Sequence, residues 1–356
     1  MSLPKNRVTQ PPKRITLRDI ADKLNVSHAT VSLALRNHPR VSESVRDKIQ
    51  KTAKKLGYTP DPMLSALAQY RLNNKENTTT HSLALINSYR NPQKIHDLQE
   101  FNLYFKGAKD TAGELGFKLE EFSITDLSLG RLDTILKTRN IRGLLLSPPD
   151  TSIDFQWEKF PWKDYATVRF GRSSECPRTH FVTSAQESNT IRAFDHIRNR
   201  GYNRIGFVTR YTRRRLFGSG FLWAQLELPA KQRLPILYIP RNATATQNSK
   251  SLDLWVQKNN PDAILSDEPE LMKILNRIGY QVPEDIALAT TSLHDTPIDT
   301  GIDQKPEEIG KAAARTLISM LHSQYFGLPA TSNEILIEGQ WKDGTTLPKQ
   351  ITTGRT

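Results

Sequence analysis

The chain has 356 residues, enough for two or three domains, and 37% of them are apolar, so a sizeable core forms and global disorder is excluded. A single cysteine, Cys176, rules out an intrachain disulfide and fits a reducing compartment, so a cytoplasmic location is expected. The net charge is +13; residues 1–72 hold 14 Lys/Arg against 5 Asp/Glu, which is +9 and leaves +4 for the other 284 positions. A basic head on a nearly balanced body points to a polyanionic partner for the head. The first residues, MSLPKNRVTQPPKRI, are basic with no apolar run behind them. No signal peptide is expected, and no apolar stretch is long enough to span a membrane.

In chain order, Leu17, Ile20, Ala21 and Leu24 recur at the spacing of one helix face, with Thr16 as N-cap and Asp19 three residues on. Asn25 ends this helix. Ser27 caps a second helix whose Val31, Ala34 and Leu35 face inward, and Asn37-His38-Pro39 stops it because proline cannot continue the ladder. Ser42 or Ser44 caps a third helix, with Val45, Ile49, Ala53 and Leu56 on its buried face and Gly57 as a left-handed end. Two short helices joined by a tight turn and braced by a third describe a helix-turn-helix domain, placed at residues 1–59.

In that geometry the second helix enters the major groove and turns His28, Ala29, Ser32, Leu33 and Arg36 outward. Ser27 and Thr30 offer hydroxyls to phosphates, which sets register without reading sequence. His28 reaches a base edge, and Ala29 and Leu33 pack on thymine methyl groups. For Leu33 the competing reading is the small domain's own core; its offset from Val31 and Leu35 favours the groove. Asp61 and Pro62 then open a fourth helix about two turns long, marginal without a partner. Residues 73–80 are polar and aperiodic, so 60–80 reads as a hinge helix and linker.

The strings TLRDIA, VSHATVS, VSESVRDKI and LGYTP, in this order between Ile15 and Leu67, resemble the LacI family of bacterial transcription regulators. The resemblance implies DNA contacts from Thr16, from Ser27 to Ser32 on the recognition helix, from Leu33, Arg36 and Asn37, and from Ser65 and Leu67 in the hinge. Leu67 stands where the family has a wedge that pairs across a dimer and pries open a central base step through the minor groove. Unstacking costs a few kcal/mol and is repaid by wrapping more protein surface. Pyrimidine–purine steps yield most easily. Three positions depart from the pattern: Leu33 stands where arginine is frequent, Asp61-Pro62 where the hinge opens with Asn or Ser, and Leu64 where a small alanine is usual.

From residue 81 the pattern changes to short apolar runs alternating with helical stretches. Strands are expected at 82–87, 143–147, 166–170, 204–209, 236–239, 263–266 and 286–290, and helices at 101–115, 129–139, 187–200, 220–225, 249–258, 270–278 and 306–326. This alternation implies an α/β body with parallel sheets covered on both faces. The segments RNRGYNRIGFVT, NPDAILSDEPELMKILNRIGYQVPEDIALATTS and TGIDQKPEEIGKAAARTLISML resemble the same family's core, which is similar to a periplasmic sugar-binding protein. The implied body has two Rossmann-like subdomains of the periplasmic binding protein-like type I class. Its three crossovers are expected near Thr183, His294 and Phe326. That divides the body into residues 81–183 plus 294–326 and residues 184–293 plus 327–345.

Ligands of open α/β sheets bind beyond the carboxyl ends of the strands. That rule nominates Ser88, Tyr89, Arg90, Ser147, Arg169, Phe170, Arg172, Tyr211, Asp267, Ser292, His294 and Gln304 as effector-binding residues. Arg90 and Arg172 also read as solvated surface charge, and Phe170 as core. An arginine that precedes Gly-Phe in many sugar-binding members is replaced before Gly220-Phe221 by Phe217-Gly218-Ser219, or displaced among Arg213, Arg214 and Arg215. The family aspartate after the PEDIALA strand is Ser292. Within the class of sugars and related metabolites, these departures shift the expectation toward an aromatic or anionic ligand.

Catalysis is not expected. GSGFLW at 218–223 lacks the third glycine of the dinucleotide fingerprint, and no HExxH, paired CxxC or Walker loop occurs. The eight histidines are dispersed without metal spacing, and no metal or cofactor is expected. The reading is a repressor that binds a pseudo-palindromic operator in double-stranded DNA as a homodimer, under control of a small-molecule effector and without a membrane partner. The alternatives are a transport-type solute-binding protein and a nonspecific DNA-binding protein.

Overall fold

The computed structural model describes residues 15–35, 41–58, 81–125, 127–148, 156–172, 177–211, 215–240 and 242–350. The chain divides into a head before residue 79 and a body from it onward.

In the head, Thr16 and Asp19 cap each other. Thr16 N donates to Asp19 Oδ2 at 2.6 Å, and Asp19 N donates to Thr16 Oγ1 at 3.4 Å. This box starts helix α1, Leu17–Leu24, which Asn25 ends in the left-handed conformation at φ 54°. Ser27 Oγ accepts from Thr30 N at 3.0 Å and starts α2, His28–Leu35. Helix α3, Glu43–Lys55, follows Ser42, whose side chain makes no capping bond, and Ser44 lies inside the helix. Gly57 turns the chain at φ 70°. The shared core is Ile20, Ala21, Val31, Ala34, Val41, Ile49 and Ala53.

One expectation for the head needs correction, and Leu33 serves the domain's core in part. Val45 is 36% exposed, because the first turn of α3 reaches past this small core. Leu33 is half-buried and packs with Leu35 and Leu56 against the core cluster, so much of its side chain is spent inside the domain. The expected contacts Arg36, Asn37, Ser65 and Leu67, and the hinge helix itself, lie outside the described residues.

The body contains two six-stranded sheets. Side by side, the first is built from residues 334–337, 180–184, 166–170, 143–146, 81–87 and 117–123, and the second from 340–342, 301–303, 287–290, 263–266, 205–210 and 237–239. In chain order the elements of the first lobe are β1 (His81–Asn87), α4 (Gln93–His96), α5 (Gln99–Glu114), β2 (Phe117–Ser123), α6 (Leu129–Thr138), β3 (Gly143–Leu146), β4 (Ala166–Phe170) and β5 (His180–Ser184). The second lobe follows with α7 (Gln186–Asn199), β6 (Ile205–Arg210), α8 (Gly218–Gln225), β7 (Leu237–Ile239), α9 (Ala245–Asn259), β8 (Ala263–Ser266), α10 (Leu271–Arg277), β9 (Ala287–Thr290) and β10 (Gly301–Asp303). Helix α11 (Pro306–His322) and β11 (Glu334–Ile337) return to the first lobe, and β12 (Gln340–Lys342) ends in the second.

All pairings in the first sheet are parallel, and in the second only β12 runs antiparallel, against β10. Each sheet carries an apolar cluster on either face, which explains the continuous apolar runs of β1, β3, β4, β6, β8 and β9.

The chain leaves the first sheet after Ser184, beside the expected crossover at Thr183. The other two crossovers differ from expectation. His294 lies on a loop between two strands of the second sheet, and the chain changes lobe only after Asp303. After Phe326 it stays with the first lobe through β11, paired to β5, and crosses again before β12. The misplacement follows from β10, β11 and β12, strands of three or four residues, too short for a strand pattern to stand out in the sequence.

Helices α5 and α11 approach backbone to backbone. A Cβ at Gly107 would overlap the Glu307 carbonyl oxygen, and one at Gly310 would overlap that of Tyr104. These two glycines let a helix from residues 306–322 seal the lobe that begins at residue 81.

Candidate functional site

Two places carry binding chemistry: the exposed start of α2 in the head and the cleft of the body. Ser27, His28 and Ala29 are exposed, and Thr30 and Ser32 are half-buried. The cap that starts α2 ties the Ser27 and Thr30 hydroxyls to each other at 2.8 Å. The two hydroxyls therefore form one preset polar corner. A helix N-terminus with hydroxyls beside its amides suits a phosphate, and the side chains just beyond it reach base edges. Thr16 is exposed at the start of α1, with its hydroxyl on Asp19 at 2.7 Å.

In the body, a cavity of about 290 Å³ opens between the two lobes, near the lower end of ligand pockets at ~300–1,000 Å³. Six of the residues nominated from sequence line it: Tyr89, Arg172, Asp267, Ser292, His294 and Gln304. The first lobe adds Leu98, Glu100, Phe101 and Tyr104, and the second adds Arg210, Phe217, Pro269, Asp295 and Thr296. Thr183 and Gln186 flank the first crossover.

The other six nominated residues stand elsewhere. Ser88 and Ser147 are buried and bonded to each other, Ser88 N donating to Ser147 Oγ at 3.2 Å. Phe170 is fully buried and stacks on Tyr104 at 5.3 Å between centroids, so it supports the cleft wall from behind. Arg169 is 7% exposed and lies over the Phe181 ring at 4.7 Å. Arg90 is exposed and is not part of the cavity wall. Tyr211 is 50% exposed, packs edge-on against Tyr238, and lines a separate cavity of about 500 Å³ with Ile239, Lys273 and Arg277. The carboxyl-end rule finds the right edge of the sheet but not the facing of each side chain: Ser88, Ser147, Arg169 and Phe170 are buried, while Arg90 and Tyr211 stand outside the cavity.

Several polar groups of the cleft are braced by neighbours, whereas Ser292 Oγ and His294 Nε2 are buried and make no hydrogen bond among the described residues. Arg210 donates from Nε and Nη2 to the two oxygens of Glu268 at 2.7 and 2.9 Å, and Glu268 is 5% exposed. This fork keeps the guanidinium charged, its pKa raised chiefly by the hydrogen bonds to Glu268. Arg210 N also donates to Asp267 Oδ1 at 3.2 Å. Arg172 pairs with Glu334 of β11. Asp303 receives Lys305 N at 2.9 Å and Lys305 Nζ at 3.1 Å, with His294 Nε2 at 3.7 Å. Burial pushes the Asp303 carboxyl up, but the Lys305 bonds outweigh it and hold the group below the usual carboxylate range. Gln304 donates its amide to the Thr291 carbonyl at 2.7 Å, which fixes its oxygen.

Sequence reasoning missed Arg210 because it sought the cleft arginine at 213–215, and it missed Phe101, Tyr104 and Phe217 because aromatics at helical spacing read as core. The resulting cavity has aromatic side chains in both walls and polar groups between them. Such a cavity suits a small polar molecule with a flat or ring-shaped face. Among the described residues no group of His, Cys, Asp and Glu could hold a metal ion, and no helix is long and apolar enough to cross a membrane.

Comparison with known proteins matches residues 16–61 to the bacterial regulatory proteins of the lacI family and residues 194–346 to the periplasmic binding protein-like domain. The HTH-type transcriptional repressor CytR of Escherichia coli (strain K12) is 26% identical over 345 residues, spanning 88% of this chain and 91% of CytR. The probable HTH-type transcriptional repressor ExuR of Bacillus subtilis (strain 168) is 24% identical over 347 residues, 91% of this chain and 95% of ExuR. Among solved structures, the lac repressor dimer bound to operator and the anti-inducer ONPF aligns at TM-score 0.55 and 18% identity, over 94% of this chain and 100% of that chain. The regulator CelR in complex with cellobiose aligns at TM-score 0.55 and 19% identity, again over 94% and 100%. At these identities the structural likeness establishes the fold.

Proposed function

The chain belongs to the LacI family of bacterial regulatory proteins, and from that premise we propose that it is a cytoplasmic, non-enzymatic repressor. It binds a pseudo-palindromic operator as a homodimer and is controlled by a small molecule in the body cleft. The observation that carries the reading is the pairing, in one chain, of a preset recognition helix with a two-lobed body whose lobes meet at a braced polar cavity.

In this reading Ser27, Thr30 and Thr16 hold phosphates, while His28, Ala29 and Ser32 read base edges. Leu67 wedges the central step, and Arg36, Asn37 and Ser65 add contacts around it. A dimer places its two recognition helices about one helical turn apart. The effector grips both walls of the cleft, through Asp267, Ser292, His294 and Gln304 and the faces of Tyr89, Tyr104 and Phe217. Closing on it changes the lobe arrangement and with it the ease of pairing two hinges. Coupling of this kind is worth ~1–3 kcal/mol and is reciprocal between DNA and effector.

The test is a binding selection from random duplexes at near-physiological salt, where phosphate contacts alone do not hold DNA tightly, run with the full chain and with Leu67→Ala. The expected outcome is a two-fold symmetric site with a pyrimidine–purine centre, lost or weakened in the variant while nonspecific binding persists. Absence of an enriched site, with or without candidate effectors, would sink the repressor reading in favour of a nonspecific DNA-binding protein.

A further inference from the structure

Helix α5 (Gln99–Glu114) starts without a cap of its own. Leu98 precedes it with extended backbone and no side-chain oxygen, so the first-turn amides have no local acceptor. The acceptor comes from Asp295, far along the chain. Its Oδ1 receives Gln99 N at 2.7 Å and its Oδ2 receives Glu100 N at 3.2 Å. The helix belongs to the first lobe, where it packs on β2 and α11. Asp295 sits on the β9–β10 connection, whose flanking strands both lie in the second sheet. Leu98 and Glu100 line one side of the cleft, and Asp295 and Thr296 line the other.

The loop is shaped to make this reach. Asp295 is held at φ 61°, in the left-handed region that aspartate and asparagine enter more readily than other residues with a Cβ. A carboxylate at the start of a 16-residue helix is also favoured by the helix dipole. Glu100, the acid in that first turn, turns its own carboxylate to the Tyr104 hydroxyl at 2.8 Å and leaves the amides to Asp295.

We propose that Asp295 is a positioning residue that latches the two lobes across the cleft: a loop of the second lobe caps a helix of the first. Opening the cleft uncovers two helix amides, and closing it satisfies them. Asp295 thereby biases the body toward the closed arrangement before any effector enters, and so sets the starting point from which an effector shifts it. The contact is exposed, so the bias is modest, about two- to five-fold in the ratio of closed to open bodies.

The test uses the full chain without DNA or effector, so its outcome is independent of the repressor reading. Spin labels at Lys118→Cys on β2 and Lys258→Cys on α9, in a Cys176→Ser background, report the separation of the lobes. Amide exchange reports protection at Gln99 and Glu100. Asp295→Ala is expected to speed exchange at these two amides several-fold and to broaden the distance distribution. Asp295→Asn, whose side-chain oxygen still caps a helix, is expected to restore most of both. An unchanged distance distribution in Asp295→Ala would overturn the latch and leave Asp295 a simple cap. Unchanged exchange at both amides would overturn the contact itself.

Discussion

Among the described residues, the head hides seven apolar side chains among three short helices, whereas the body buries four apolar clusters against two six-stranded sheets. A small core leaves a large share of the head's surface in water, so each local bond is a larger fraction of what holds it. Thr16 with Asp19 and Ser27 with Thr30 are such bonds, each closing within three residues. The body depends on pairings between distant segments: α5 with α11, β5 with β11, Asp299 with Thr345. Local interactions therefore organise the half that is proposed to touch DNA, and long-range closure organises the half that is proposed to sense a ligand.

Substitutions can break or sharpen that contrast. Phe170→Ala, at a fully buried ring beneath the cleft wall, is expected to cost the body about 3–5 kcal/mol. Denaturant titration followed by the fluorescence of Trp157 and Trp162, both in a cluster of the first lobe, would show it. Amide exchange in α1 to α3 should stay as in the parent. An equal loss of protection in the head would mean that the two units do not fold independently.

Gly310→Ala places a methyl against the α5 backbone and is expected to cost about 1–3 kcal/mol. Gly130→Ala, on α6 with open space around its Cβ position, is expected to have the opposite sign, stabilising by about 0.5–1 kcal/mol. Thermal denaturation of both variants separates close helix approach from the ordinary cost of a helical glycine.

Thr16→Ala removes the capping box of α1 and is expected to cost the head about 1 kcal/mol. Faster amide exchange in α1, with the body unchanged, is the outcome that fits. A comparable slackening of the body would contradict the division into local and long-range halves.

An effect of similar size, confined to one side of the pH scale, belongs to Asp299, whose carboxylate accepts from Thr345 N, Thr345 Oγ1 and Thr346 N at 2.8–2.9 Å. Partial burial pushes this carboxyl up, but these bonds prevail and hold its pKa well below the usual range. The folded pKa is depressed, so its stabilisation is complete above the unfolded value of about 3.9 and fades as pH falls below it. Solvent screening limits the contribution to about 1 kcal/mol. Asp299→Asn should therefore destabilise at neutral pH and flatten the acid limb of the stability profile. A parent and variant that differ equally at pH 7 and pH 2 would refute the assignment.

The amino-acid order alone determined the features whose causes lie within a few residues. Thr16 and Asp19, Ser27 and Gly57 mark helix ends by their own hydrogen bonds or backbone freedom, and the head was legible from them. Continuous apolar runs such as 143–146 and 263–266 declared buried parallel strands, because both faces of such a strand must be covered. The tertiary structure decided what depends on partners distant in sequence. Edge strands β11 and β12, and the three-residue β10 beside β12, exist through pairing rather than pattern, so the second and third crossovers moved to Asp303 and to the link before β12. Alternation along strands sent Ser88, Ser147 and Phe170 inward, while the start of α5 carried Phe101 and Tyr104 to the cavity wall. The capping of α5 by Asp295 has no local trace at all: a helix start that looks bare in sequence is completed by a carboxylate brought to it only when both lobes have folded.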